Sequence, residues 1–373
     1  MMKSWRSTGI ISFIVCIMLV LVACGGNNTE SKPSTTTTPK EQSVNNSKEV
    51  EVVDPTKDFK TIDLVFSSTK PPNHVEVVNV IEPLLKDIET VTEGRITYKM
   101  FNGGALGKSN EQYDLIITGA ADMIGALHSN TPGVFPLNSV VELPFLAGKS
   151  SVDGTRMFQE IINKFPEVSA EYDGLKIAWL SKTDPSQIFT TGKPIKTLAD
   201  LKGMKLRVSN QQVANMVTAL GATPVRLSVN ELYEAMQKGV VDGAITPYST
   251  IIDYRLGELT KYITEVNFVN AGLYVVINQK TWDKILPQDQ ENIDKLLQEI
   301  EYESAKIYDE ASIEGKDESI KLGIEIIELE DTMIKELRSL VNPLYDEWAK
   351  DMESQGLPGR AVLDFALSLV EGN

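Results

Sequence analysis

One arginine stands out for its setting. In residues 197–212, Thr-Leu-Ala-Asp-Leu-Lys-Gly-Met-Lys-Leu-Arg-Val-Ser-Asn-Gln-Gln, the apolar Met204, Leu206 and Val208 alternate with Lys205 and Arg207. A period of two predicts a short strand with both cations on one face. Thr197 and Asp200 have the spacing of a capping box, and Gly203 ends the turn they open. Ser209 and Gln212 repeat the signal, and Val213, Met216, Val217 and Leu220 follow at helical spacing up to Gly221. Arg207 is therefore predicted at a strand-to-helix junction. There a rigid guanidinium fork and the free N–H groups of a helix start, at Ser209 and Asn210, together suit a carboxylate. Composition alone favours a plainer role, a surface cation paired with one of the many acids.

Other chemistry is poorly supplied. Histidine occurs only at His74 and His128, without a second ligand at metal spacing. Both read as loop or cleft-rim residues rather than general bases. There is no Gly-x-Ser-x-Gly and no His-Glu-x-x-His, and Gly103, Gly104 and Gly107 fit neither a P-loop nor a dinucleotide fingerprint. Paired carboxylates remain open among 52 acids, but nothing singles out a pair. No cofactor and no metal are expected.

The elements that must position Arg207 follow from pattern. Residues 61–67 read as a strand ending near Ser68, and Asn73 with Glu76 caps a long helix kinked at Pro83. Strands are predicted at 95–101 and 121–127, with a helix at 110–118 between them. Residues 221–243 repeat strand, helix and strand, the helix capped by Ser228 and Glu231. Such alternation predicts a largely parallel sheet with helices on both faces. Residues 173–181 and 266–277 read as strand-rich segments flanking the basic stretch. If both cross between domains, they bracket a second domain and make a hinge. Beyond Trp282 the chain is helical by its apolar spacing, with a strand at 324–329 and breakers at Pro343 and Pro358.

Four pieces in order resemble one family: Asp200-Leu-Lys-Gly-Met-Lys-Leu-Arg207, Gly221-Ala-Thr-Pro224, Glu231-Leu-Tyr-Glu-Ala-Met-Gln237 and Val241-Asp-Gly243. They are similar to the signature of the solute-binding subunits of tripartite ATP-independent periplasmic (TRAP) transporters. The resemblance implies an α/β, two-domain periplasmic-binding-protein-like fold with a hinge and a ligand cleft, and a long helix bracing both domains. The expected organisation is a first domain over 58–184, a second over 185–271, a return with the bracing helix over 272–315, and a C-terminal segment over 316–373 packing mainly on the second domain. In the family the arginine matching Arg207 clamps the substrate carboxylate. The second arginine of sialic-acid and dicarboxylate members falls on Gln187, and an asparagine after Val-Asp-Gly falls on Thr246. An aromatic wall position falls on Val229 and a polar contact on Leu127. Segments 131–137 and 142–146 match cleft-bordering stretches, so Phe145 either lines the site or fills the core, and Ser68 joins the candidates at the first strand's end. Gln187 cannot neutralise a second carboxylate. The implied ligand is a monocarboxylate with an apolar or modestly polar body, such as a 2-oxo or aromatic acid, unless Lys193 or another nearby cation folds back to supply the missing charge.

The remaining signals concern address. Lys3 and Arg6 precede an apolar run over 10–22, the pattern of a signal peptide covering 1–23. Leu21-Val-Ala-Cys24 resembles a lipobox, which implies acylation of Cys24 and a lipid anchor on the outer face of the bacterial membrane. Residues 24–57 are too poor in apolar groups to fold and predict a disordered tether with ends roughly 30 Å apart. Removing Lys3 and Arg6 from the 36 bases leaves 34 against 52 acids, a net charge of −18, which argues against nucleic acid as a partner. The acids concentrate over 281–355, with 21 against 8 bases, whereas Lys193, Lys196, Lys202, Lys205 and Arg207 face only Asp200. The implied partners are a small organic acid and the integral membrane permease subunits. The alternatives are a receptor serving another transporter or a sensor kinase, or a surface hydrolase.

Overall fold

The computed structural model describes residues 60–146 and 148–371. The signal segment, Cys24 and the tether lie outside the described residues. The chain forms β1 (Ile62–Ser68), β2 (Ile96–Phe101), β3 (Met123–Leu127) and β4 (Leu175–Lys182) before its first crossing. It continues through β5 (Ser186–Thr190), β6 (Lys205–Val208), β7 (Thr223–Arg226), β8 (Gly243–Pro247) and β9 (Tyr262–Glu265), then β10 (Gly272–Asn278) and β11 (Glu325–Glu328). One sheet has the order β2-β1-β3-β10-β4 and the other β11-β9-β5-β8-β6-β7.

Each sheet carries one reversed strand, where pattern reading predicts a largely parallel arrangement. β10 runs antiparallel to β3 and β4, and β5 runs antiparallel to β8 and β9. The other pairs are parallel. The reversed strands are the first that the chain forms after each crossing. Leaving one sheet at the carboxyl end of β4 or β9, the chain enters the other sheet from the same interdomain side, and so opposes the strands already pointing there. Both sheets thus present their parallel strands' carboxyl ends to one shared space, the usual place for a ligand in α/β sheets.

The strands sort their side chains by alternation. Tyr274 and Val276 join one core of the first domain with Phe158 and Ile124, while Val275 and Ile277 join another with Phe66 and Leu84. In the second domain Ile188 and Ile245 pack with Val213 and Val217, whereas Ala244 faces Leu232 and Met236. The crossing segments are stitched together: Thr183 N donates to Ala271 O at 3.0 Å, Ser186 N to Val269 O at 2.8 Å and Phe268 N to Ser186 O at 3.0 Å. Beside them Asp184 is buried and accepts from Ser249 Oγ at 2.7 Å and Ser249 N at 3.2 Å. Burial pushes its carboxyl up to about 7.

Helix Pro287–Lys321, 35 residues long, braces both domains. Near its start Ile293 and Leu297 enter a first-domain core. Asp309 accepts from Ser151 N at 2.6 Å and so caps helix Ser151–Lys164. Further on, Lys316 pairs with Glu265 at 2.7 Å, and Gly315 lies so close to the second domain that a Cβ there would stand 2.2 Å from Tyr248 O.

The C-terminal segment departs from its expected placement on the second domain. β11 pairs with β9, and helix Asp331–Val341 buries Leu337 and Val341 there. Helices Pro343–Ser354 and Gly359–Glu371 instead bury Trp348, Met352, Val362 and Leu363 against the first domain. Pro343 supplies the reason, because its missing N–H breaks the helix and permits a change of direction. The chain therefore returns to the first domain at its end.

Candidate functional site

Arg207 lies at the carboxyl end of β6, opposite Ala244 of β8 and Val225 of β7. Lys205, on the same face, is exposed at the strand's other end, whereas Arg207 is only 5% exposed. Its Nε donates to Leu227 O at 2.9 Å and Nη1 lies 3.5 Å from Ile245 O. It has no carboxylate within 4.0 Å among the described residues, an unusual state for a buried cation. Burial pulls its pKa down to about 10, opposed by Tyr254 and Glu231.

A cavity of about 500 Å³ opens between the domains; Arg207 does not line it but lies behind its wall, bonded to the wall residue Leu227 and two positions before the wall residue Ser209. Its first-domain wall comes from the ends of β1, β2 and β3: Thr69, the Gly103-Gly104 turn, Lys108, Ser129 and Asn130. Its second-domain wall comes from the ends of β6 and β7 and the following helix: Ser209, Arg226, Leu227, Ser228, Asn230 and Glu231. The glycine turn rejected above as a phosphate loop is thus a wall element. Gly104 has φ of +77° and its N–H donates to Ser68 O at 3.0 Å, which fits glycine best. Ser228 N and Oγ donate to Glu231, which holds the Glu231 carboxyl below its ordinary range. Asn230 Nδ2 reaches across the cavity mouth to Thr69 O at 3.0 Å, joining the domains.

The other candidates take varied places. Gln187, Thr246 and Arg207 fall on β5, β8 and β6, consecutive strands of one sheet. Gln187 spends its whole amide on the hinge: Oε1 accepts from Val266 N at 2.7 Å and Asn267 N at 3.0 Å, and Nε2 donates to Pro185 O and Asn267 Oδ1. Thr246 Oγ1 meets Thr250 Oγ1 at 3.2 Å. Asn210, not Ser209, caps helix Gln211–Ala219, accepting from Val213 N at 2.8 Å. Asn210 Nδ2 donates to Glu142 Oε2 at 2.7 Å, and Glu142 Oε1 accepts from Gly272 N. Moving the cap by one residue leaves Ser209 to line the cavity. Val229 and Leu127 are half-buried outside the cavity wall, and Ser68 is buried beneath Thr69. Phe145 enters the second domain's core 5.4 Å from Phe268, with φ of +59°, so it is a core residue.

Two expectations change. Val229, Leu127 and Phe145, carried as candidate ligand contacts, all lie outside the cavity wall. Lys193 does not fold back: its Nζ bonds Asp200 O at 2.8 Å, beyond the end of β5 remote from the cleft. The cations at the cavity are Lys108 and Arg226, both exposed. Sequence reading missed them together with Ser129 and Asn130; the usable signal is that each follows closely on a strand's carboxyl end. His74 and His128 are buried rather than at the rim. His128 bonds Tyr172 OH within an aromatic cage, and burial pulls its pKa down to about 4.

Two α/β domains joined by crossing strands, with a polar cavity at the carboxyl ends of both sheets, define a cleft-type solute-binding protein. Residues 66–351 match the family described as bacterial extracellular solute-binding protein, family 7 (DctP), and the chain belongs to that family, the TRAP solute-binding proteins. A solute-binding protein of Chromohalobacter salexigens is 23% identical, over 73% of this chain and 80% of its own. The crystal structure of a TRAP solute-binding protein from Rhodoferax ferrireducens with copurified benzoate superposes at TM-score 0.78 and 25% identity, covering 84% of this chain and 98% of that one. A Chromohalobacter salexigens TRAP protein with bound D-glucuronate gives 0.73 at 21% identity, covering 81% and 100%, which is a likeness of fold. The family and these neighbours are extracytoplasmic binding proteins of transport systems that present small organic acids to membrane permeases, rather than enzymes. No helix among the described residues is long and apolar enough to cross a membrane.

Proposed function

We propose that this chain is the lipid-anchored receptor of a TRAP transporter, that it captures a monocarboxylate without transforming it, and that Arg207 holds the carboxylate. The observation that carries the reading is Arg207 itself, a buried guanidinium with no acidic partner among the described residues, bonded through Nε to Leu227 of the interdomain cavity's wall. A ligand carboxylate would complete a charge-assisted pair, and closure of the domains would exclude water and strengthen it. Gln187, fully engaged in the hinge, adds no second charge, and the Rhodoferax relative's benzoate is itself a monocarboxylate. Lys108 and Arg226 at the cavity draw the anion in by their field.

Titration calorimetry with organic acids tests the carboxylate role. Arg207→Lys keeps the charge but loses the fork, and affinity is expected to fall at least about tenfold. Unchanged affinity would remove Arg207 from the site. Anchoring rests on Cys24: Cys24→Ser is expected to release the protein from the membrane fraction or leave the precursor uncut. Normal processing with full membrane retention would count against the lipid anchor.

A further inference from the structure

We infer that the ligand is a hydroxylated monocarboxylate of the sugar-acid type rather than an aryl or alkyl acid; this rests on the carboxylate reading of Arg207. The wall of the cavity is the reason. Among the described residues no aromatic side chain lines it, and Leu227 and Pro132 are its only large apolar contributors. Small-molecule pockets that hold aromatic bodies are lined mainly by hydrophobic and aromatic groups. Here the side chains on the wall mostly end in hydroxyls, amides and charges, with apolar surface supplied between them by backbone and aliphatic carbon.

Several of these groups have nothing to bond. Ser129 is 8% exposed, lines the cavity, and its Oγ is buried without a partner among the described residues. Asn130 from the same wall, and Ser209 from the opposite one, have side chains with no hydrogen bond among the described residues. A closed site leaves such groups costly unless the ligand pairs with them. An apolar body would desolvate them without compensation, whereas a chain or ring bearing several hydroxyls can both donate and accept. A site built for hydroxyl contacts rejects analogues that lack them far more strongly than an apolar pocket rejects an added hydroxyl. Glu231 adds a second constraint. Its ionised carboxylate faces the cavity, accepting hydroxyl hydrogens and repelling a second ligand carboxylate.

The test is a comparison of three panels on the purified, processed protein, by thermal shift and then calorimetry. The first holds D-glucuronate, D-galacturonate and D-gluconate; the second benzoate, mandelate and phenylacetate; the third succinate and malate. At least one acid of the first panel is expected to bind at least tenfold more tightly than every acid of the others. Ser129→Ala, which breaks no bond within the protein, is expected to weaken that acid about tenfold while leaving the unliganded melting temperature unchanged. Tighter binding of an aromatic acid or a dicarboxylate overturns the inference and leaves the carboxylate reading standing. Wild-type affinity in Ser129→Ala overturns it too, because the cavity wall would not be the contact surface. Failure of all three panels to bind overturns this inference and the carboxylate reading together.

Discussion

Replacing Arg207 with methionine separates binding from stability. The fall of its pKa to about 10 on burial corresponds to roughly 3 kcal/mol of unfavourable desolvation in the unliganded protein. The bonds to Leu227 O and Ile245 O offset part of this, about 1–3 kcal/mol for the pair given that the second is long. The two sides nearly cancel. Methionine has similar reach and no charge, so Arg207→Met is expected to leave the unliganded protein as stable as the wild type, within about 2 kcal/mol, or more stable. Ligand binding behaves oppositely. The variant forfeits a charge-assisted pair and leaves the ligand carboxylate buried beside an apolar side chain, which is expected to lower affinity by about 3 kcal/mol or more, over a hundredfold. Melting of the unliganded variant, followed by calorimetry with the acid that stabilises the wild type most, gives both quantities. A variant that unfolds far below the wild type, or that keeps its affinity, would show that Arg207 is a structural strut.

Three further outcomes follow from the hinge and the brace. Gly315→Ala improves helix propensity by up to about 1 kcal/mol yet places a Cβ against Tyr248 O, so it is expected to lower the melting temperature; a rise would mean that the long helix does not press on the second domain. Asp184 has a folded pKa raised above its unfolded value. Its stabilising contribution is full below about pH 4 and is lost as pH rises through about 7. Asp184→Asn should therefore gain stability relative to the wild type between pH 4 and 8, which parallel thermal melts across that range would check, with a constant difference refuting it. Gln187→Ala strands the N–H groups of Val266 and Asn267 and is expected to cost about 2–3 kcal/mol in denaturant unfolding; a loss of affinity without a loss of stability would restore Gln187 to the ligand site.

Much of this protein was written locally in its chain. The capping boxes at Thr197 and Ser228 form as their spacing predicts, because each needs only residues three apart. Arg207 stands at the end of a strand because Met204, Leu206 and Val208 alternate around it. The order of strands and helices, and with it the family, was legible for the same reason: periodicity and turn residues act within a few positions. Tertiary structure decided what depends on distant partners. Gln187 became a hinge residue because Val266 and Asn267, some 80 residues away, turn their N–H groups onto it. Phe145 left the first domain for the second's core, and the cap moved from Ser209 to Asn210, where Glu142 from the other domain holds it. Most of the cavity wall was invisible for the same reason, since Ser129 and Asn130 meet Ser209 only when two separate sheets turn their carboxyl ends toward one space. Alternation states which face a residue takes, but not which face of another domain it will meet.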